Sequence, residues 1–264
     1  MTLLQDVLAV LSGSLVGFSL GLIGGGGSVL AVPLLVYVVG VKSPHVAIGT
    51  SALAVAANAA VNLAGHWRAG TVKMRCAATY ALFGIAGAAI GSTAGKAVDG
   101  ERLLALFGVV MIVVAVSMVR RPPGAGYPEV RLDRALAGKL LPRLGAAALA
   151  TGFLSGFFGI GGGFLIVPGL VVATGMPLIN AIASSLVSVT SFGATTAANY
   201  ALSGLVDWWI ALLLLAGGAV GGIAGAATAR HLSGRRGMLA TAFAVIVGAV
   251  GLYVVWRGAA AILG

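Results

Sequence analysis

The sequence predicts an all-α polytopic membrane protein. It is built from two inverted-topology repeats, each a broken-helix hairpin plus three transmembrane helices, for eight to ten membrane segments. Three observations predict this. First, 59% of the 264 residues are hydrophobic and 8% are charged, with mean hydropathy +1.09. A soluble domain of this size could not cover so much apolar surface. Second, the charges are clustered. Residues 7–41, 46–65, 76–95, 103–119, 208–229 and 237–256 lack Asp, Glu, Lys, Arg and His, and the window 144–206 runs 63 residues, against roughly 20 for one crossing. Third, a glycine run inside an apolar stretch occurs twice. Gly24-Gly25-Gly26-Gly27 returns as Gly159-Ile160-Gly161-Gly162-Gly163, with Gly17-Phe18 matched by Gly152-Phe153, Gly21 by Gly156 and Val32-Pro33 by Val167-Pro168. Duplicated breaks in apolar segments mark a transporter made of two repeats.

The elements follow from the charges. Arg68, Lys73 and Arg75 form one basic cluster; Arg120, Arg121, Arg131, Arg134, Lys139 and Arg143 a second; Arg230, Arg235 and Arg236 a third. Placing all three in the cytoplasm puts 12 of the 16 basic residues inside and leaves Lys42, Lys96, Arg102 and Arg257 outside, the middle two offset by Asp99 and Glu101. Helix 46–65 then runs inward, 76–95 outward and 103–119 inward. In the second half 179–203 starts inside, 208–229 starts outside and 237–256 ends outside, so corresponding helices run oppositely. The expected units are 1–120, a cytoplasmic linker 121–142 marked by Pro122-Pro123-Gly124, and 143–264, with both termini outside.

The broken segments, 3–23 with 28–41 and 144–158 with 163–175, must start and end on one side. Their second arms are about 13 residues, too short to stand upright across the bilayer. Hairpins meeting inside the membrane are favoured over full but tilted crossings. The N-terminus lacks a basic n-region, so the first segment is expected to be retained. Further matches pair Ala47-Ile48-Gly49-Thr50-Ser51 with Ala181-Ile182-Ala183-Ser184-Ser185, and Gly70, Gly84, Gly87, Gly91 and Lys96 with Gly204, Gly218, Gly221, Gly225 and Arg230. Glycines at four-residue spacing (Gly13, Gly17, Gly21; Gly87, Gly91, Gly95; Gly217, Gly221, Gly225) are close-packing stripes.

The net charge of +10 is read as topogenic and lipid-facing rather than as a nucleic-acid footprint. One cysteine, Cys76, excludes an internal disulfide and a cysteine metal cage. No His-Glu-x-x-His, Gly-x-Ser-x-Gly or CxxC motif is present, so neither an enzyme nor a cofactor or metal is expected. The acids Asp6, Asp99, Glu101, Glu129, Asp133 and Asp207 fall near segment ends or in loops, and His45, His66 and His231 lie near boundaries. A buried carboxylate relay and an acidic cation filter are therefore disfavoured. Asp207, before Trp208-Trp209, reads as a helix cap.

What remains is neutral. Unpaired backbone groups in hydrocarbon cost several kcal/mol, so a break is tolerated only inside protein or beside a cavity. A helix restarting at Ser28 or Phe164 presents free N–H groups and a positive dipole end, with glycine allowing an anion to approach. The expected binding residues are Gly25, Gly26, Gly27 and Ser28 in the first break and Gly161, Gly162 and Gly163 in the second. The paired hydroxyls Thr50, Ser51, Ser184 and Ser185 join them, with Asn58 and Ser188 on the same helices. Neutral donors and helix dipoles suit a small anion.

The motifs Gly21-Leu22-Ile23-Gly24-Gly25-Gly26, Val32-Pro33 and Gly49-Thr50-Ser51 carry a family resemblance. So do Gly156-Phe157-Phe158-Gly159-Ile160-Gly161-Gly162-Gly163, Val167-Pro168 and Ser184-Ser185 in the second half. With them the chain resembles the TauE/SafE family of sulfite exporter-like permeases over most of its length. The resemblance implies movement of sulfite, sulfoacetate or related organosulfonates across a bacterial inner membrane. The expectation is a secondary transporter working by alternating access in the lipid bilayer. Its coupling ion is open between a proton and sodium, and its oligomeric state is open. The alternatives are an anion channel, a transporter of another small organic anion, or a scaffold without transport. Ser28 stands where the second half has Gly163, and Gly25 where it has Ile160, so the two breaks are not equivalent.

Overall fold

A computed structural model describes residues 3–23, 25–120, 134–231 and 236–263. Among these the chain forms α1 (Leu3–Ile23) and a short composite segment, α2. The latter winds as a 3-10 helix over Gly25–Leu30, an α turn over Ala31–Pro33 and a π-helix over Leu34–Val39. There follow α3 (Pro44–Arg68), α4 (Met74–Ala97), α5 (Gly100–Arg120), α6 (Arg134–Phe158), α7 (Gly163–Thr174), α8 (Leu178–Ala201), α9 (Trp208–His231) and α10 (Arg236–Leu263). Eight of these helices are long and apolar enough to span a bilayer; Gly27–Val39 and Gly163–Thr174 are apolar but shorter. Mid-helix side chains such as Leu82 and Ile223 are 70% and 74% exposed, a placement that only lipid solvates well. The protein is a multi-pass membrane protein.

Local chemistry sets the ends. Ser43 accepts from Val46 N at 3.4 Å with Pro44 opening α3, where a missing N–H costs nothing. Asp207 caps α9 by accepting from Ile210 N at 3.0 Å, as expected. Asp99 Oδ1 accepts from the backbone of Glu101 and Arg102 at the start of α5. Pro33 has no N–H to donate into the helix, and α2 widens to π winding immediately after it before Gly40, at φ 81°, ends it.

Two boundaries differ from expectation. The predicted linker 121–142 is shortened by α6, which begins at Arg134 and continues through Pro142; residues 121–133 lie outside the described set. Charge marks where the bilayer ends, not where the helix ends. The first break restarts as a tight 3-10 turn from Gly25 rather than at Ser28.

The order of contacts gives the directions. Gly13, Gly17 and Gly21 press on the backbone of Leu214, Gly218 and Gly222, while Gly217, Gly221 and Gly225 press on Val10, Ser14 and Phe18; α1 and α9 are parallel. Gly87, Gly91 and Gly95 meet Leu149, Phe153 and Phe157 in the same sense, so α4 and α6 are parallel. By contrast Gly108 meets Gly251 and Gly258 meets Ala105, and Gly49 meets Tyr200 while Gly193 meets Ala52 and Ala56. The pairs α5–α10 and α3–α8 are antiparallel. Exchanging the first five elements for the last five converts the α1–α9 contact into α6–α4 and leaves α3–α8 and α5–α10 paired with each other. The expected glycine stripes are thus packing seams, and each joins the first helix of one half to the fourth helix of the other.

Candidate functional site

The second hairpin tip is buried in the bundle, as are residues 27–30 of the first. At the second, Gly159, Gly161 and Gly162 take φ values of 66°, 63° and 68°, in the left-handed region that side chains resist. Gly159 lies on Ile48 of α3, and Gly161 lies between Val55 of α3 and Val189 of α8. Gly161, Gly162 and Gly163 are buried. Leu165 and Ile166 donate to Gly162 O at 2.9 Å each, the first bonds of α7. The N–H groups of Gly163 and Phe164 precede them, where helix geometry provides no acceptor. At the first tip, Gly27 folds back on the backbone of Leu20 and on the backbone and Cβ of Ser19, and Ser28 is fully buried. Gly25 and Gly26 lie in the 3-10 turn before it.

The paired hydroxyls occupy equivalent places with equivalent bonds. Thr50 Oγ1 accepts from Asp207 N at 2.9 Å, and Ser184 Oγ accepts from Lys73 N at 2.9 Å. Each clamps the backbone just before a helix of the other half. Ser51 Oγ donates to Ile48 O at 2.9 Å and Ser185 Oγ to Ile182 O at 2.8 Å. Ser51 also reaches Gly159 O at 3.3 Å, so one predicted hydroxyl directly contacts the second break. Thr50, Ser51, Ser184 and Ser185 are fully buried. Asn58, 3% exposed, fills the space left by Gly218, while its counterpart Phe192 fills that left by Gly84. Ser188 is fully buried and its Oγ has no partner.

Two buried polar residues were not singled out from sequence. Ser155 Oγ and Tyr200 OH are buried without partners, and Ser155 sits under Gly162. Its signal was present: one hydroxyl, four residues before Gly159, on an apolar stretch. Lys96 Nζ donates to Asn199 O at 3.1 Å, Asn199 Oδ1 at 2.8 Å and Ser203 Oγ at 2.8 Å, because α4 and α8 end side by side. Asn199 Nδ2 continues to Ser92 and Thr93 at 2.6 and 3.0 Å. Asp6 and Glu101 lie in first turns, and Asp99 and Asp207 precede helices; Glu129 and Asp133 lie outside the described residues. A groove of about 390 Å³ between α3 and α8, lined by Leu53, Ala56, Ala194 and Trp208 among others, is apolar and touches none of the candidate residues.

Comparison with known proteins places this arrangement in context. Residues 9–254 match the family model described as sulfite exporter TauE/SafE. A "probable membrane transporter protein" of Xylella fastidiosa strain 9a5c is 49% identical over 263 residues, covering 100% of each chain. The "probable membrane transporter protein YunE" of Bacillus subtilis is 28% identical over 249 residues, covering 86% of this chain and 89% of its own. No solved structure matches.

Proposed function

This chain belongs to the TauE/SafE sulfite exporter family and is a membrane transporter, and from that premise we propose that it is a secondary transporter for small sulfur-containing oxyanions. Sulfite, sulfoacetate and other organosulfonates are the substrate class, moved across a bacterial inner membrane by alternating access. The observation that carries this reading is the second break. Three left-handed glycines open a buried helix N-terminus against hydroxyl-bearing helices, and the described acids stand only at helix ends. Backbone N–H groups and neutral hydroxyls then supply the positive potential for the anion. The proposed contacts are Gly161–Phe164, Gly25–Ser28, Ser51 and Ser188. Thr50, Ser184 and Ser185 act from opposite ends of the α3–α8 pair, Thr50 beside the start of α9 and Ser184 beside that of α4, and Asn58 stands between them on α3 against Gly218.

Antiparallel α3–α8 and α5–α10 pairs support an inverted duplication of 1–120 and 143–264, and alternating access follows from two such units. The packing supports a particular division of moving parts. A rocking of sequence halves would tear both glycine seams, so the units are α1, α3 and α9 against α4, α6 and α8. They slide at the α3–α8 crossing and where α2 touches α7. The end of α5 lies opposite the end of α10, because the two helices are antiparallel. The positive-inside rule then assigns the 121–133 side to the cytoplasm and the termini to the outside.

Uptake of radiolabelled sulfite and sulfoacetate into proteoliposomes, with and without imposed proton and sodium gradients, tests the proposal. Saturable, anion-dependent flux is expected. No flux with either substrate refutes the substrate class, and single-channel currents refute the alternating mechanism.

A further inference from the structure

Hydroxyls in membrane helices commonly return to a carbonyl of their own helix. Ser51, Thr151, Thr174, Ser185, Thr190 and Ser191 all do so at 2.7–2.9 Å. Ser155 does not: it is fully buried and its Oγ has no partner, an arrangement that costs free energy unless something else fills it. The side chain is aimed at the break. A Cβ on Gly162 would stand 2.8 Å from Ser155 Oγ and 2.7 Å from its Cβ. Gly162 is the N-cap residue of α7, a 12-residue helix. Its first N–H groups lack intrahelical acceptors. A partnerless hydroxyl and the positive end of a helix therefore converge on one buried point.

We propose that Ser155 and the first turn of α7 form a single oxyanion site in the second half. Ser155 donates its O–H to one oxygen of the anion while the N–H groups at the start of α7 hold another, a division that suits a pyramidal or tetrahedral sulfur oxyanion. The first half arranges its break differently. The correspondence of Gly17 with Gly152 and of Gly21 with Gly156 puts Leu20, an apolar core residue, where Ser155 stands, and it is the neighbouring Ser19 whose Cβ lies 2.7 Å from a Cβ on Gly27. This inference rests on the transporter reading and names its specificity-determining residue.

The test uses full-length protein in proteoliposomes, with sulfite and sulfoacetate as probes and three proteins: wild type, Ser155→Ala and Ser12→Ala. Ser12 is another buried, partnerless serine, on α1 away from the break. Losing one hydrogen bond to a charged ligand raises KM about ten-fold, and this is expected for Ser155→Ala, at an unchanged or higher melting temperature. Ser12→Ala retains wild-type KM. A wild-type KM in Ser155→Ala, or an equal loss in Ser12→Ala, overturns the site. Thermal protection by sulfite separates the two levels of the argument. Protection of wild type but not of Ser155→Ala sustains the site even if flux is absent and the transporter reading falls. Absence of protection in wild type overturns the site.

Discussion

Replacing Gly17 with alanine tests the seam between α1 and α9. The new Cβ would lie 2.6 Å from Gly218 Cα and 2.7 Å from its carbonyl carbon, with the carbonyl oxygen nearer still. Carbon atoms pack at about 3.5–4.0 Å, so the helices must part by roughly 1 Å. No flexible side chain can yield, because the obstacle is backbone. Gly13, Gly21, Gly217, Gly221 and Gly225 share the seam. A gap of about 1 Å forfeits up to roughly half of each dispersion contact along it. Overpacking of this kind costs about 1–3 kcal/mol, from which alanine's better helix propensity returns about 1 kcal/mol. Gly65→Ala is the control. It lies in α3 with nothing within 4 Å of its Cβ position, so only the propensity gain remains. Thermal melting of the purified proteins in one detergent should rank Gly65→Ala at or above wild type and Gly17→Ala clearly below both. A Gly17→Ala protein melting with Gly65→Ala would refute the seam.

Thr50→Val and Ser184→Ala each strip the acceptor from a backbone N–H, that of Asp207 or Lys73. Both should lose about 1–3 kcal/mol in melting assays, and an effect on one alone would contradict their equivalence. Gly162→Ala and Gly204→Ala begin from nearly the same φ, 68° and 69°. Gly204 is open and should lose only the left-handed penalty of about 1–2 kcal/mol. Gly162 also drives a methyl into Ser155 and should lose uptake as well as stability; equal effects would argue against a packed break. Lys96→Met removes three hydrogen bonds to α8 and its following turn and should lower melting by about 1–3 kcal/mol, with no change expected if the ammonium were simply solvated.

Much of the architecture was legible because the bilayer imposes a one-dimensional rule. An apolar stretch must be long enough to span, and its backbone must be satisfied within the helix. Charge-free windows therefore located α3, α4, α5, α9 and α10, and glycine spacing marked the seams. The same rule misled at α6, where Arg134, Lys139 and Pro142 read as loop although the helix begins at Arg134 and continues through them. Counting charge places Lys96 on one side of the membrane but names no partner, and it is α8 that brings Asn199 and Ser203 to its ammonium. The hydroxyl pairs were found by repetition, yet repetition cannot tell a side chain that clamps a helix start, as Thr50 and Ser184 do, from one that faces a ligand.

By itself the sequence determined the membrane class, the duplicated breaks and the neutral character of the candidate site, since each depends on which residues are present and how far apart. Tertiary structure alone decided that each hairpin leans on the opposite half and that Ser51 reaches Gly159. It also decided that Ser155 is buried without a partner under Gly162. These depend on which helices share a seam. Close backbone approach at glycine is permitted by many pairings of stripes, and only the packed bundle selects one.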